Sequence, residues 1–373
     1  MRLHLEITGK CNLRCKYCYN AQYNKPEFFS CEIPPDRWMH IIEEANSLEC
    51  QRFTISGGEP FLVPKLPEIV AKCQSPVIIF TNGQFLTPEI IHELSAIPQL
   101  LGLRISMDGI KAHDKYRVGS RSVDIVPRIE LLRDSRLTVG ITTMVSQDLL
   151  FELIEFYELL KSLSIEHWRI DLPFFSGRYH ENANYFNQGS FRELVIAFRG
   201  LISRYIHDGK PFHLGITNIY KSQIVDVSYG KFDTCIHPCS YEDVVCIKAN
   251  GDITVCSAYS LVLGNINDFG TLSEALEHIR SNKFYSMRIK DIEECLGCRY
   301  LKLCGGGCRA DSFYLMGSDL LPDPICCSLW ALVEQEIIPI IPSQEGLCLT
   351  RLIDANGSAP QAFEHIDHIL ANK

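Results

Sequence analysis

The chain has 373 residues, 46% hydrophobic and 22% charged, proportions of an ordinary soluble globular protein with room for one large core and a smaller one. Lys plus Arg number 36 against 45 Asp plus Glu, a formal charge of −9, and no long basic run occurs, so a nucleic-acid partner is disfavoured. The apolar run Ile337 to Pro342 is far too short to span a bilayer, so no membrane partner is expected.

Met1-Arg2-Leu3-His4 runs straight into a strand pattern and leaves no room for a signal peptide, so the expected location is cytoplasmic. Seventeen cysteines in a large chain without an export signal point to metal ligation rather than to disulfides. Three lie at 11–18, none lies between Cys73 and Cys235, and ten lie from Cys235 to Cys327. That distribution predicts two metal-bearing regions separated by a cysteine-free body.

In chain order, the strand-like Leu3–Thr8 leads into Cys11-Asn12-Leu13-Arg14-Cys15-Lys16-Tyr17-Cys18. A 4Fe–4S cluster normally takes four thiolates. This loop offers three, so it can hold three irons and leave the fourth open to a small molecule. Zinc prefers four tetrahedral ligands in CxxC pairs, a spacing this loop does not have. Pro34-Pro35 precede a helical pattern to about Asn46, with Trp38, Ile41, Ile42 and Ala45 on one face.

Arg52–Ser56 reads as a strand cut off by Gly57-Gly58-Glu59-Pro60. The unit then recurs. Strand-like Pro76–Phe80 ends at Thr81-Asn82-Gly83 and is followed by a helix from Pro88 to about Ala96. Leu101–Ser106 ends at Met107-Asp108-Gly109, Thr138–Val145 leads into a helix near Leu149–Leu163, and Ile165–Ile170 precedes a helix around Phe191–Ile206. Six β-rich runs alternating with helices predict an α/β fold, a parallel sheet curled as a partial (β/α)6 TIM-type barrel over residues 1–230. Ligands in such sheets sit at the carboxyl ends of the strands, where the cysteine loop and the glycine-rich turns all fall. A cysteine-rich domain is expected over 231–345, then a tail over 346–373 with one helical segment and no assigned role.

Cys11-x3-Cys15-x2-Cys18 with an aromatic before the third cysteine, followed by Gly57-Gly58-Glu59-Pro60, resembles the radical SAM superfamily. The resemblance implies S-adenosylmethionine (SAM) chelated to the open iron, with Gly57, Gly58 and Glu59 beside its methionyl group. It also implies cofactor or substrate contacts from Tyr17, Asn82, Ser106, Asp108 and Arg117. Further on, Cys295-x2-Cys298-x5-Cys304-x3-Cys308, then Cys326-Cys327, preceded by Gly251-x4-Cys256, resemble the SPASM extension of that superfamily. The extension implies two auxiliary 4Fe–4S clusters, three clusters in all. Carried over by position, the first would use Cys235, Cys239, Cys256 and Cys308, the second Cys295, Cys298, Cys304 and Cys326. Cys246 stands as an alternative to Cys235, and Cys327 as an alternative to Cys326; two zinc ribbons are the competing reading of the region. Cys50, Cys73 and Cys348 read as buried apolar residues, and Cys31 is also assigned to core packing. The histidines, His92, His113, His167 and His213 among them, form no HxxxH or HExxH pair and read as structural or exposed.

The chemistry implied is reductive cleavage of SAM to a 5′-deoxyadenosyl radical, which abstracts hydrogen from a substrate carbon, with the auxiliary clusters as electron sink. SPASM enzymes of this kind mostly act on peptide or protein side chains. One branch crosslinks ribosomally made precursor peptides, and another, the anaerobic sulfatase-maturating enzymes, makes formylglycine. The second branch resembles itself in an aspartate base directly after the cysteine of the G-x4-C element, where this chain has Ser257. A serine cannot replace a carboxylate base unaided, so peptide crosslinking ranks first, sulfatase maturation second, and a non-catalytic electron-transfer protein third. Expected partners are a peptide or protein substrate and a reductant such as flavodoxin or ferredoxin. Only ten residues precede Cys11, so leader-peptide recognition would fall to the barrel, the tail or a separate binding protein.

Overall fold

A computed structural model describes residues 1–181, 191–217, 219–221, 233–239, 243–342 and 353–360. The tail expected to carry a helix, and Cys348 within it, lie mostly outside the described residues.

The barrel strands are β1 (Arg2–Glu6), β2 (Arg52–Ser56), β3 (Val77–Thr81), β4 (Leu100–Ser106), β5 (Thr138–Met144), β6 (His167–Asp171) and β7 (His213–Ile216), each parallel to the next in chain order. The first six are the runs anticipated from sequence; β7 is an additional one. A short β8 (Tyr220–Lys221) turns back antiparallel on β7. Alternation explains the packing, since successive side chains leave a strand on opposite faces. Leu5, Ile55, Ile79 and Leu103 stand side by side in register and are fully buried under the helices. Trp38, Ile41 and Ile42 of helix Pro35–Ser47, and Leu153, Phe156 and Leu160 of helix Gln147–Ser162, close over that face. Burying one such side chain is worth about 1.5–3 kcal/mol. The alternate residues, His4, Thr54, Arg104 and Ser106 among them, are only half-buried on the concave face.

The cysteine-rich region is joined to the barrel through the sheet. Its strands β9 (Val244–Ile247), β10 (Asp252–Thr254) and β11 (Val262–Asn265) extend the same sheet from the outer edge of β1, in the order β11-β10-β9-β1. β9 runs parallel to β1, with Cys246 opposite His4. Beyond β11 the chain becomes loops and short helices that join the main core through Leu272, Leu276 and Ile279 among others, beside a small second cluster of Ile289, Ile292, Cys295 and Leu301. Helix Pro324–Glu336 then returns to the barrel side, against helix Phe191–His207. Among the described residues no helix is long and apolar enough to cross a membrane.

Candidate functional site

The cysteine loop and the Gly-Gly-Glu-Pro turn are held together by backbone. Gly58 N–H donates to Thr8 O at 2.6 Å and Glu59 N–H to Lys10 O at 2.8 Å. A Cβ on Gly57, whose φ is +132°, would lie 2.3 Å from Thr8 O, and one on Gly58 would lie 2.1 Å from Lys10 O. Both glycines are therefore demanded by the segment that delivers Cys11.

Glu59 is fully buried. It accepts from Thr81 Oγ1 at 2.7 Å, from Asn82 N–H at 2.8 Å and from Phe61 N–H at 3.3 Å. Burial pushes its carboxyl up to about 7, and those hydrogen bonds pull the other way. Asn82 in turn donates through Nδ2 to Asn12 Oδ1 at 2.8 Å, so the ends of β2 and β3 are tied directly into the cysteine loop. Ser106 is half-buried at the end of β4, opposite Thr142 of β5.

Asp108, Arg117 and Tyr17 form a second buried unit. Arg117 Nε lies 2.8 Å from Asp108 Oδ2, and its Nη2 donates to Asp108 Oδ1 at 3.0 Å. The Tyr17 hydroxyl bonds to the same carboxylate, and the Arg117 guanidinium stacks 5.4 Å from the Tyr17 ring centroid. Met144 N–H also donates to Asp108, at 2.8 Å. The seven other expected cofactor contacts thus fall into two bonded groups, around Glu59 and around Asp108, that flank the thiols at the strand ends.

The three thiols lie close enough to influence one another. Burial pushes Cys11 up to about 11 and Cys18 up to about 12, and raises Cys15 as well. Metal ligation takes the thiolate form, so loading iron releases protons. Arg178, which sequence reading missed, pins the loop from outside: its Nη1 donates to Cys15 O at 3.0 Å and its backbone N–H to Cys18 O at 2.9 Å. Nothing local marks it, since its segment meets the loop only through the fold.

The later cysteines also gather. Cys295, Cys298, Cys304, Cys326 and Cys327 line one small cavity together with Trp330. Cys326 is buried, whereas Cys327 is half-buried. Separately, Cys256 influences both Cys308 and Tyr285, and Cys239 influences Tyr285, whose phenol burial pushes up to about 12. Cys235 is exposed, while Cys246 is buried in β9 with its thiol 3.8 Å from Glu6 Oε1. Among the described residues no three His, Cys, Asp or Glu side chains converge as ligands of one metal ion. A donor set made almost wholly of thiols, with glycine-rich backbone crowded against it, fits iron–sulfur clusters. Cys50 and Cys73 are buried as expected, but Cys31 is exposed on a turn, so its assignment to core packing fails.

Comparison with known proteins agrees with this geometry. Residues 5–160 match the Radical SAM superfamily family model. The AdoMet-dependent heme synthase of Methanosarcina barkeri is 26% identical over 86% of this chain and 94% of its own. The cysteine-type anaerobic sulfatase-maturating enzyme of Clostridium perfringens is 24% identical over 80% of this chain and 86% of its own. The crystal structure of Streptococcus suis SuiB bound to its precursor peptide SuiA shares the fold, with a TM-score of 0.67 at 16% identity, over 87% of this chain and 75% of that one. From β1 through β5 and into helix Gln147–Ser162, residues 5–160 thus carry a domain of the Radical SAM superfamily.

Proposed function

We propose that this enzyme abstracts hydrogen from a peptide or protein side chain and that its product is a crosslinked, ribosomally made precursor peptide. What carries the reading is the fold shared with SuiB, which runs through both the barrel and the cysteine-rich half and which was solved with a precursor peptide bound. Cys11, Cys15 and Cys18 would hold the SAM-binding cluster. Cys235, Cys239, Cys256 and Cys308 would hold the first auxiliary cluster, and Cys295, Cys298, Cys304 and Cys326 the second. When bound, these groups supply one-electron chemistry: reductive opening of SAM at the amino-terminal site and an electron sink at the auxiliary sites.

The chain's own residues do the positioning. The Gly57-Gly58-Glu59 turn, fixed against Thr8–Lys10, forms one wall beside the thiols, and Asn82 closes the gap to Asn12. The Asp108–Arg117–Tyr17 unit keeps the far wall rigid and dry. Ser106 offers a hydroxyl at the strand ends. Among the described residues every cysteine is free, as suits a reducing, cytoplasmic compartment. A peptide or protein substrate and a flavodoxin- or ferredoxin-type donor are the partners this reading calls for.

Sulfatase maturation ranks below, because Ser257 follows Cys256 and its carbonyl is occupied by Lys248 Nζ at 2.9 Å. A second reading, modification of a tetrapyrrole, is favoured by the heme synthase relative, similar over 86% of this chain. The deciding experiment uses anaerobically reconstituted protein with dithionite and SAM. The expected result is 5′-deoxyadenosine above the Cys15→Ala level, about twelve irons per chain, and loss of a hydrogen pair from a short peptide encoded beside the gene. Absence of 5′-deoxyadenosine above that control overturns the reading, and turnover of iron coproporphyrin instead of peptide replaces it with the second.

A further inference from the structure

Between the two groups of late cysteines lies a charge that nothing above has used. Arg309 follows Cys308 directly and is 1% exposed. Its Nη1 donates to Asp319 O at 2.8 Å and Leu321 O at 2.9 Å, and its Nη2 donates to Gly306 O. All three acceptors are neutral backbone carbonyls. Its Nε–H has no hydrogen-bond partner among the described residues.

A buried guanidinium normally sits against a carboxylate or phosphate that balances its charge. Asp323, the obvious candidate, is spent elsewhere: it accepts from Cys308 N–H at 2.8 Å and from the N–H groups of Ile325 and Cys326 at 2.9 and 3.2 Å. Among the buried groups that feel its charge are the Asp311 carboxyl and the Cys295 thiol. Gly305, Gly306 and Gly307, all with positive φ, carry the chain from Cys304 of one group to Cys308 of the other, and Arg309 grips that loop in its middle. Among the influences on the buried Cys295 thiol, Arg309 is the largest that opposes burial.

Resting on the cluster assignment under Proposed function, we infer that Arg309 is the fixed counter-charge shared by the two auxiliary iron–sulfur sites and a positioning residue that holds their reduction potentials up. The physical reason is simple. Reduction adds a negative charge to a cluster, and a buried cation beside it, screened by no water, favours the more negative state. The same guanidinium clamps the Cys304–Cys308 loop to the Asp319–Leu321 segment that leads to Cys326 and Cys327, so one residue sets both geometry and field for the two sites.

The test is an anaerobic redox titration of the holoenzyme followed by electron paramagnetic resonance, with iron and sulfide counted per chain, for wild type, R309Q and R309K. R309Q is expected to shift the auxiliary signals to lower potential by a tenfold change in the reduction equilibrium, about 59 mV for a one-electron couple. R309K should stay near wild type, and the amino-terminal cluster signal and its response to SAM should not move in either. A fully loaded R309Q with unchanged auxiliary potentials overturns the inference. If R309Q fails to hold auxiliary iron, R309K decides: loading with wild-type potentials supports the charge role, and failure of R309K as well reduces Arg309 to a scaffold residue and overturns it. Loss of the SAM response in wild type would instead sink the functional reading, so the two failures are distinguishable.

Discussion

Lys248 Nζ lies 2.8 Å from Glu6 Oε1, with the two side chains 2% and 1% exposed. The ammonium also donates to Ser257 O and sits 5.5 Å from the ring centroids of both Tyr19 and Tyr23. One cation thereby joins the end of β1, the stretch just after the cysteine loop and the residue after Cys256. Removing one partner of a buried pair strands the other, at a cost of about 3–5 kcal/mol. K248M should therefore lose that much in urea unfolding of the apoprotein, and the E6Q/K248M double variant should recover at least half. Equal losses for the single and double variants would show that the pair itself is not what stabilises the joint.

His113 gives a pH signature. It is fully buried, its Nδ1 accepts from Asp108 N–H at 3.4 Å and its Nε2 bonds to Ser120 Oγ at 2.9 Å. Burial first, then the Arg117 charge, lowers it to about 4. Between that value and the unfolded value of about 6.5 the unfolded chain binds the extra proton. Stability therefore rises with pH across the window and is lost on acidification, by about 3 kcal/mol in total. H113N should flatten the apoprotein's stability profile between pH 6.5 and pH 4 relative to wild type; a parallel profile would refute the assignment.

Gly58 allows a cleaner test of the cofactor wall. Since a Cβ there would meet Lys10 O at 2.1 Å, G58A must push the turn away from the cysteine loop. Spectral perturbation on adding SAM should weaken at least about tenfold, the equivalent of about 1.4 kcal/mol, while iron content at the amino-terminal site holds. Wild-type affinity in G58A would show that the turn does not face the cofactor.

The stretch from Ile289 to Leu301 has too small a core to stand alone, with four buried residues in its own cluster. Ligand binding there is folding free energy. Stripping iron with a chelator should therefore abolish amide-exchange protection over Cys295–Cys308 while leaving β2–β5 protected. Uniform protection in the apoprotein would contradict this.

The first six barrel strands were legible because each announces itself locally: an apolar run stopped by a polar or glycine turn, as at Ile78–Phe80 before Asn82. The attachment of β9 to β1 was not, because Val244–Ile247 pairs with residues about 240 positions earlier, and no local pattern encodes a partner at that distance. The same limit hid Arg178, Lys248 and Arg309, whose partners are brought to them only by the fold. Asp323 is the opposite case. An aspartate before Pro324 is an N-cap signal, and reading it would have started the helix at the residue that holds Cys326 in place. At the thiols themselves, five cysteines line one cavity, and motif spacing alone does not choose between Cys326 and Cys327.

The pairing of β9 with β1 also has a cost in time. During synthesis the outer edge of the first strand can find its lasting neighbour only once residue 247 has left the ribosome, on the order of tens of seconds after the strand itself emerges. Through that interval an open row of peptide groups is exposed to every other nascent chain. A cell making this protein in quantity has reason to shield its first few residues with a chaperone until the late hairpin arrives.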